Sequence, residues 1–137
     1  MKTGACLCGE IRYAVQGEFG QVSHCHCSMC RRMHGAAFGT YVAVPVQNFS
    51  WTSGADLVET FSSSDLMRRT FCRKCGSTLQ ALFAPERDVI YLALGTIDGD
   101  PGCRPAVHIF VGSKAPWYDI TDDLPQFDEW TDDFAPA

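Results

Sequence analysis

The 137-residue sequence predicts an all-β protein with little helix, pinned together by its cysteines. Three observations point there. Short β-rich or alternating runs recur along most of the chain, the period-two pattern of half-buried strands. Turn-forming clusters separate those runs. Eight cysteines fall mainly in tight pairs and a triplet, a spacing that suits metal ligands better than a disulfide framework.

The first run is EIRYAV at 10–15, and the second is AFGTYVAV at 37–44. LVETF (57–61) follows the turn signal Ser53-Gly54, and MRRTF (67–71) follows the polar cluster at 62–65. STLQALF (77–83) and VIYLAL (89–94) flank the turn at 84–87, and HIFV (108–111) comes after Asp98-Gly99-Asp100-Pro101-Gly102. The best helical candidate is short and begins near Ser28, and a further turn is expected after Asp119. The aromatic residues Phe38, Tyr41, Phe49, Trp51, Phe83 and Trp117 are expected mainly in the core, as aromatics on strands usually are, with pocket lining as the other reading.

Apolar residues make up 46% of the chain and aromatic residues 12%, enough for one domain with an ordinary core. That domain is expected over 1–127, with 128–137 a partly frayed acidic tail. The net charge is −5 and the pI near 5.2, and the basic residues gather only in pairs such as Arg31-Arg32 and Arg68-Arg69. No broad phosphate-tracking surface results, so nucleic acid is not an expected partner. The longest apolar stretches are far too short to cross a bilayer, and the opening MKTGACLCGE has no h-region, so a soluble cytoplasmic protein with no membrane partner is expected. Nothing in the sequence encodes an oligomeric state.

In such a compartment the thiols are reduced. They sort into Cys6 and Cys8; Cys25, Cys27 and Cys30; Cys72 and Cys75; and Cys103 alone. ACLCGE and FCRKCGS resemble each other, because a glycine, Gly9 or Gly76, follows the second cysteine of each pair. A glycine there can take a positive φ, letting backbone amides turn toward a metal-bound sulfur. Two such knuckles supply four thiolates, a complete tetrahedral set for a structural zinc. The alternative is that one or both pairs are reduced core cysteines.

Subtracting those four leaves SHCHCSMCRRMHG, residues 23–35, with three cysteines on one tight turn. Three thiolates leave a zinc coordinatively open, as in a working site, unless His24, His26, His34, His108 or Cys103 closes it. Three thiolates also overcompensate the dication, so bound water is acidified less than at a site of three neutral histidines. An electron-rich zinc suits a thiol substrate held as its thiolate for attack on an electrophilic carbon. Arg31 and Arg32 follow the last cysteine, where guanidinium groups could clamp substrate carboxylates or simply face solvent. His34 could bond a ligand sulfur, act on protons or lie exposed, and His108, on an expected strand, reads as a satisfied core histidine.

The order CLCGE (Cys6 to Glu10), CHCSMCR (Cys25 to Arg31), FCRKCG (Phe71 to Gly76), HIF (His108 to Phe110), Trp117 and DDLPQF (Asp122 to Phe127) resembles the glutathione-dependent formaldehyde-activating family over nearly the whole chain. The resemblance implies a zinc-bound β-tent fold and two zinc ions per chain. By similarity, Cys6, Cys8, Cys72 and Cys75 would hold a structural zinc, and Cys25, Cys27 and Cys30 a second zinc with an exchangeable position. It also implies a carbon–sulfur lyase or synthase acting on a small-molecule thiol, glutathione in the named activity, which joins it to formaldehyde as S-hydroxymethylglutathione. Cys103 lies outside the pattern. Two other classes remain open, a non-catalytic zinc-stabilised binding module and a redox- or metal-responsive protein whose middle cysteines cycle between metal and disulfide.

Overall fold

The computed structural model describes residues 1–131. Its elements gather into two compact units, one of Met1–Gly20 with Val42–Cys103, the other of Gln21–Tyr41 with the chain from Arg104 onward. As the alternation predicts, the structure is mostly β.

In the first unit, β1 (Lys2–Ala5) and β2 (Arg12–Val15) form an antiparallel ribbon, and β5 (Phe49–Ser53) adds to the other edge of β2. The ribbon turns at Cys6-Leu7-Cys8-Gly9. A bulge between Arg12 and Tyr13 resets the β2–β5 register, and Tyr13 pairs with Trp51 and Val15 with Phe49. Their rings interlock, with Tyr13 and Phe49 stacked at 5.1 Å between centroids and Phe49 edge-on to Trp51 at 4.7 Å. The second sheet of this unit carries β6 (Val58–Ser62), β7 (Met67–Cys72), β8 (Thr78–Phe83) and β9 (Val89–Ala93) in an antiparallel run, with the outer half of β4 (Gly39–Pro45) beside β9. The inward faces of these strands bury Val42, Val44, Leu79 and Leu92 completely. A compact apolar cluster of Cys6, Ile11, Cys72 and Leu79, flanked by Trp51, Leu57 and Val58, lies under the two cysteine knuckles.

The second unit is built on β3 (Val22–Cys25), α1 (Ser28–His34), the start of β4 and β10 (Val107–Ile109). β10 pairs with β3 in parallel, placing His108 opposite His24 and Ile109 opposite Cys25. Parallel neighbours need a long crossover, and here 26–106 supplies it. The helix begins at the expected Ser28. Cys27 is its N-cap, its sulfur accepting the Cys30 N–H at 3.3 Å, and Gly35 closes it in a left-handed conformation with its N–H on the Arg31 carbonyl.

Three strands went unread in the sequence, β1, β3 and β5. KTGA, VSHC and FSWTS carry too many small or polar residues to alternate cleanly, and pairing, not propensity, makes them strands. The turn expected after Asp119 lies earlier, at Pro116-Trp117, with a bend at Asp122. Trp117 is not core: 69% of its surface is exposed. Tyr41 and Phe83 are buried, while Phe38, Phe49 and Trp51 are half-buried. Within the segment expected as an acidic tail, the Asp128 and Glu129 carbonyls accept from Gly112 and Phe110, and Trp130 packs edge-on against Phe110 at 5.0 Å. Residues 132–137, the rest of that segment, lie outside the described residues. Among the described residues no helix is long and apolar enough to cross a membrane.

Gly54 shows how closely the first knuckle is packed. A Cβ there would lie 2.2 Å from the Glu10 carbonyl oxygen and 2.9 Å from the Ile11 Cα, both backbone atoms that cannot swing away. Gly54→Ala is therefore expected to cost about 1–3 kcal/mol, read as a lower urea midpoint, through displacement of the segment that carries the Ile11 amide.

Candidate metal centres

The sulfurs of Cys6, Cys8, Cys72 and Cys75 all lie within 4.8 Å of one another. Cys6 and Cys8 arrive on the β1–β2 turn, Cys72 and Cys75 on the β7–β8 turn. Sulfur separations of 3.5 Å for Cys6–Cys8 and 3.9 Å for Cys8–Cys72 bracket the tetrahedral edge of about 3.8 Å that zinc–sulfur bonds of about 2.3 Å impose. They are nearly twice a disulfide bond of about 2.0 Å. The donor set therefore fits a tetrahedral, thiophilic dication such as zinc.

The surroundings fit as well. Gly9 and Gly76 adopt φ of 80° and 79°, the matched turns that the twin motifs predict. Amide hydrogens point at sulfur from Ile11 to Cys6 and from Cys75 to Cys72, both at 3.4 Å. Ser77, which sequence reasoning passed over, joins the knuckles: its hydroxyl oxygen accepts the Leu7 N–H at 2.9 Å and lies 3.1 Å from the Cys75 sulfur. Lys74 and Glu10 form a second bridge at 2.5 Å.

Charge explains why this cluster wants a cation. Burial opposes ionisation of Cys75, yet the Ser77 hydroxyl and the backbone amides of Cys8 and Ser77 bring its thiol down to about 5. The Glu10 amide alone would lower Cys8, but desolvation and the neighbouring sulfurs of Cys6, Cys75 and Cys72 push it up to about 12. Burial opposes ionisation of Cys6 too, yet the Ile11 amide, the Cys8 thiol and the Gly9 amide hold it below the usual thiol range, so the resistance to ionisation falls on Cys8. A dication reverses that resistance and lets all four ionise.

The second cluster is Cys25, Cys27 and Cys30, again with all sulfurs within 4.8 Å. Cys25 ends β3, Cys27 caps α1 and Cys30 lies in the helix's first turn, so a strand end and a helix start bring three donors to one point. Cys25 and Cys30 are buried and Cys27 is half-buried. Hydrogen bonds with the Cys27 and Cys30 thiols, then burial, drive the Cys25 thiol far upward, the same crowding as in the first cluster. Among the described residues no histidine, carboxylate or further cysteine joins this group. Cys103 belongs to neither cluster.

Histidines flank the second cluster in sequence without joining it. His26 is completely buried, and its Nε2 lies 2.8 Å from His108 Nδ1. His108, also buried, places its Nε2 2.9 Å and 3.1 Å from the two Asp122 carboxylate oxygens. His108 is thus satisfied at both nitrogens, in agreement with its reading as a core histidine, but as the middle of a polar chain. His24 Nδ1 meets the Thr40 hydroxyl at 2.8 Å, and Phe38 packs against the rings of His24, His26 and Tyr118. Lys114 is tied to the Tyr118 carbonyl. Sequence reasoning missed this chain because its members are 82 and 14 residues apart and meet only through the parallel β3–β10 pairing. The DDLPQF segment was the one available signal.

Of the proposed substrate contacts, Arg31 is half-buried, and its Nε has no hydrogen-bond partner among the described residues. Arg32 is exposed. His34 lies against the protein: its Nε2 is 2.7 Å from the Tyr41 hydroxyl, and its ring fills the space that a Cβ on Gly39 would need.

Two cysteine clusters on a small β framework, each able to hold a metal ion, define the class of site. The family model described as glutathione-dependent formaldehyde-activating enzyme matches residues 1–113, and the chain belongs to that family. An uncharacterized lyase of Schizosaccharomyces pombe is 24% identical over 129 residues, covering 90% of this chain and 88% of that protein. A Halomonas elongata protein provisionally named glutathione-dependent formaldehyde-activating enzyme is 26% identical over 127 residues, covering 85% and 79%. The crystal structure of a Rhodobacter sphaeroides protein shares the fold, with a TM-score of 0.62 at 20% identity, over 72% of this chain and 89% of that one.

Tyr41→Phe removes only the hydroxyl that meets His34. It is expected to destabilise the protein by about 1 kcal/mol in urea unfolding, the usual worth of a part-buried hydrogen bond, without lowering the metal content measured by elemental analysis.

Proposed function

We propose that the protein is a zinc-dependent carbon–sulfur lyase or synthase that adds a small thiol to an aldehyde and reverses the addition, with glutathione and formaldehyde the first pair to test. The observation that carries this reading is the three-sulfur cluster of Cys25, Cys27 and Cys30, joined by no fourth donor among the described residues. Cys6, Cys8, Cys72 and Cys75 would form the closed structural set, whose four donors leave no position for a substrate. Bound by the three-cysteine set, zinc would hold an incoming sulfur as its thiolate. The family membership and the relatives' names support the thiol and the lyase chemistry.

The chain's own residues would handle the rest of the substrate. The Arg31 guanidinium, one residue past Cys30 and with a buried, unpartnered Nε, is suited to a carboxylate such as those of glutathione. Arg32, exposed beside it, would add positive potential for the same anion. His34, tied to Tyr41, would act by holding the end of α1 in place. Phe38 and Tyr118 would keep water from the buried histidine rings behind the cluster.

Fully loaded protein is expected to carry two zinc ions by elemental analysis, one resisting mild chelation and one lost first. Cys72→Ser should fail to fold, since structural zinc contributes on the order of 10 kcal/mol, whereas Cys30→Ser should fold with one zinc. A single tightly held metal in loaded wild type would remove the two-site assignment.

The activity is tested by exchange NMR on glutathione and formaldehyde, judged by rate because the addition also proceeds in water. Wild type should exceed the buffer rate, Cys30→Ser should abolish the gain, and Arg31→Ala should weaken it about tenfold or more, mainly through KM. A zinc-replete wild type that leaves the buffer rate unchanged would overturn this substrate pair.

A further inference from the structure

Cys72 and Cys75 stand at the closed end of the β7–β8 hairpin, and a cleft of about 490 Å³ lies at its open end. Arg68, on the cleft, and Cys72 are four residues apart on β7, so roughly 13 Å of strand lies between them. The floor of the cleft is apolar: Phe83 and Ile90 are buried, with Leu82 half-buried beside them. Its wall, the turn at 84–88, is tied down by backbone. The Ala84 amide donates to the Leu66 carbonyl at 2.7 Å, and the Val46 amide donates to the Asp88 carbonyl at 2.8 Å. The cleft is thus preformed, and its volume falls within the range of about 300–1,000 Å³ usual for small-molecule sites.

Charge singles it out. Of the five arginines in the first unit, Arg12 and Arg73 pair with Asp98 and Glu59, and the Arg69 Nε donates to the Ser63 hydroxyl. The other two, Arg68 and Arg87, both line the cleft, and neither has an ion pair or a side-chain hydrogen bond among the described residues. Arg68 stands directly across from Leu82, which brings its charge to the apolar floor. Glu86 is the single acidic residue on the walls, and the Tyr91 hydroxyl donates to it. Two guanidinium groups therefore flank an apolar surface with one engaged carboxylate beside them.

We infer that this cleft is a second ligand site, one that takes a small monocarboxylate with an apolar chain. The chain would lie on Phe83 and Ile90, and the carboxylate between Arg68 and Arg87, whose planar forks match it. A neutral apolar ligand would leave both guanidinium groups unused, and a dianion would be repelled by Glu86. The site lies apart from both cysteine clusters, and the inference does not rest on the thiol reading.

Amide-shift NMR titration of zinc-loaded protein tests this with hexanoate, set against 1-hexanol, which lacks the charge, and acetate, which lacks the chain. Hexanoate should give saturable shifts at the Ala84, Arg87 and Ile90 amides and bind about tenfold more tightly than either control. Arg68 and Arg87 are exposed, so replacing them leaves the core intact. Arg68→Gln and Arg87→Gln should each weaken hexanoate about tenfold and leave 1-hexanol unchanged, while Arg12→Gln, which lies outside the cleft, should change neither. No saturable shift, shifts confined to Arg31 and the rest of α1, equal affinity for hexanoate and either control, or unweakened binding in both cleft variants would each overturn the inference. The thiol reading is judged separately, by its exchange rate, and stands or falls without any of these outcomes.

Discussion

Crowded sulfur is the constraint on which the first unit depends. Cys6 and Cys8 come from one hairpin, Cys72 and Cys75 from another, and the Cys8 and Cys72 sulfurs meet across 64 residues of chain at 3.9 Å. Reduced thiols at such distances compete for the same few amide hydrogens, and each ionisation makes the next harder. The apolar cluster of Ile11, Leu79, Trp51 and Leu57 below them is small, so a cation that neutralised their charge would add what burial alone does not supply. Cys6 and Cys72 belong to both the core and the donor set, which ties the folding of this unit to the state of its sulfur.

The second unit solves a different problem with the same element. Its three donors are local, all within six residues, so they need no distant hairpin to meet. What is distant is the polar backing, in which His108 and Asp122 return from far along the chain to stand behind His26. In the first cluster topology assembles the donors. In the second it assembles the environment. That contrast fits a closed set in one unit and a three-donor set with specialised surroundings in the other.

The parts legible in the sequence were those whose physics is local. Paired cysteines followed by glycine announced both knuckles, and period-two runs located seven of the ten strands among the described residues. Ser28 as the start of α1 was readable too. β3 was not, because His24 and Cys25 look like ligands and not like a strand, and only the parallel partner β10 makes VSHC extended. Ser77 was invisible for a similar reason: a serine after a glycine signals nothing until the Leu7 amide arrives from the other hairpin. Trp117 misled in the opposite sense, since its size suggested a core that the turn at Pro116-Trp117 denies it.

Cys27 holds two positions at once. Its sulfur stands among the three donors and also caps α1 by accepting the Cys30 amide. A helix of seven residues has little cooperativity of its own and leans on that cap. Oxidation or alkylation of this one sulfur would therefore not stay a chemical event at a point. It would loosen the turn carrying Cys30 and Arg31, making the backbone of α1 a gauge of the condition of the thiol that begins it.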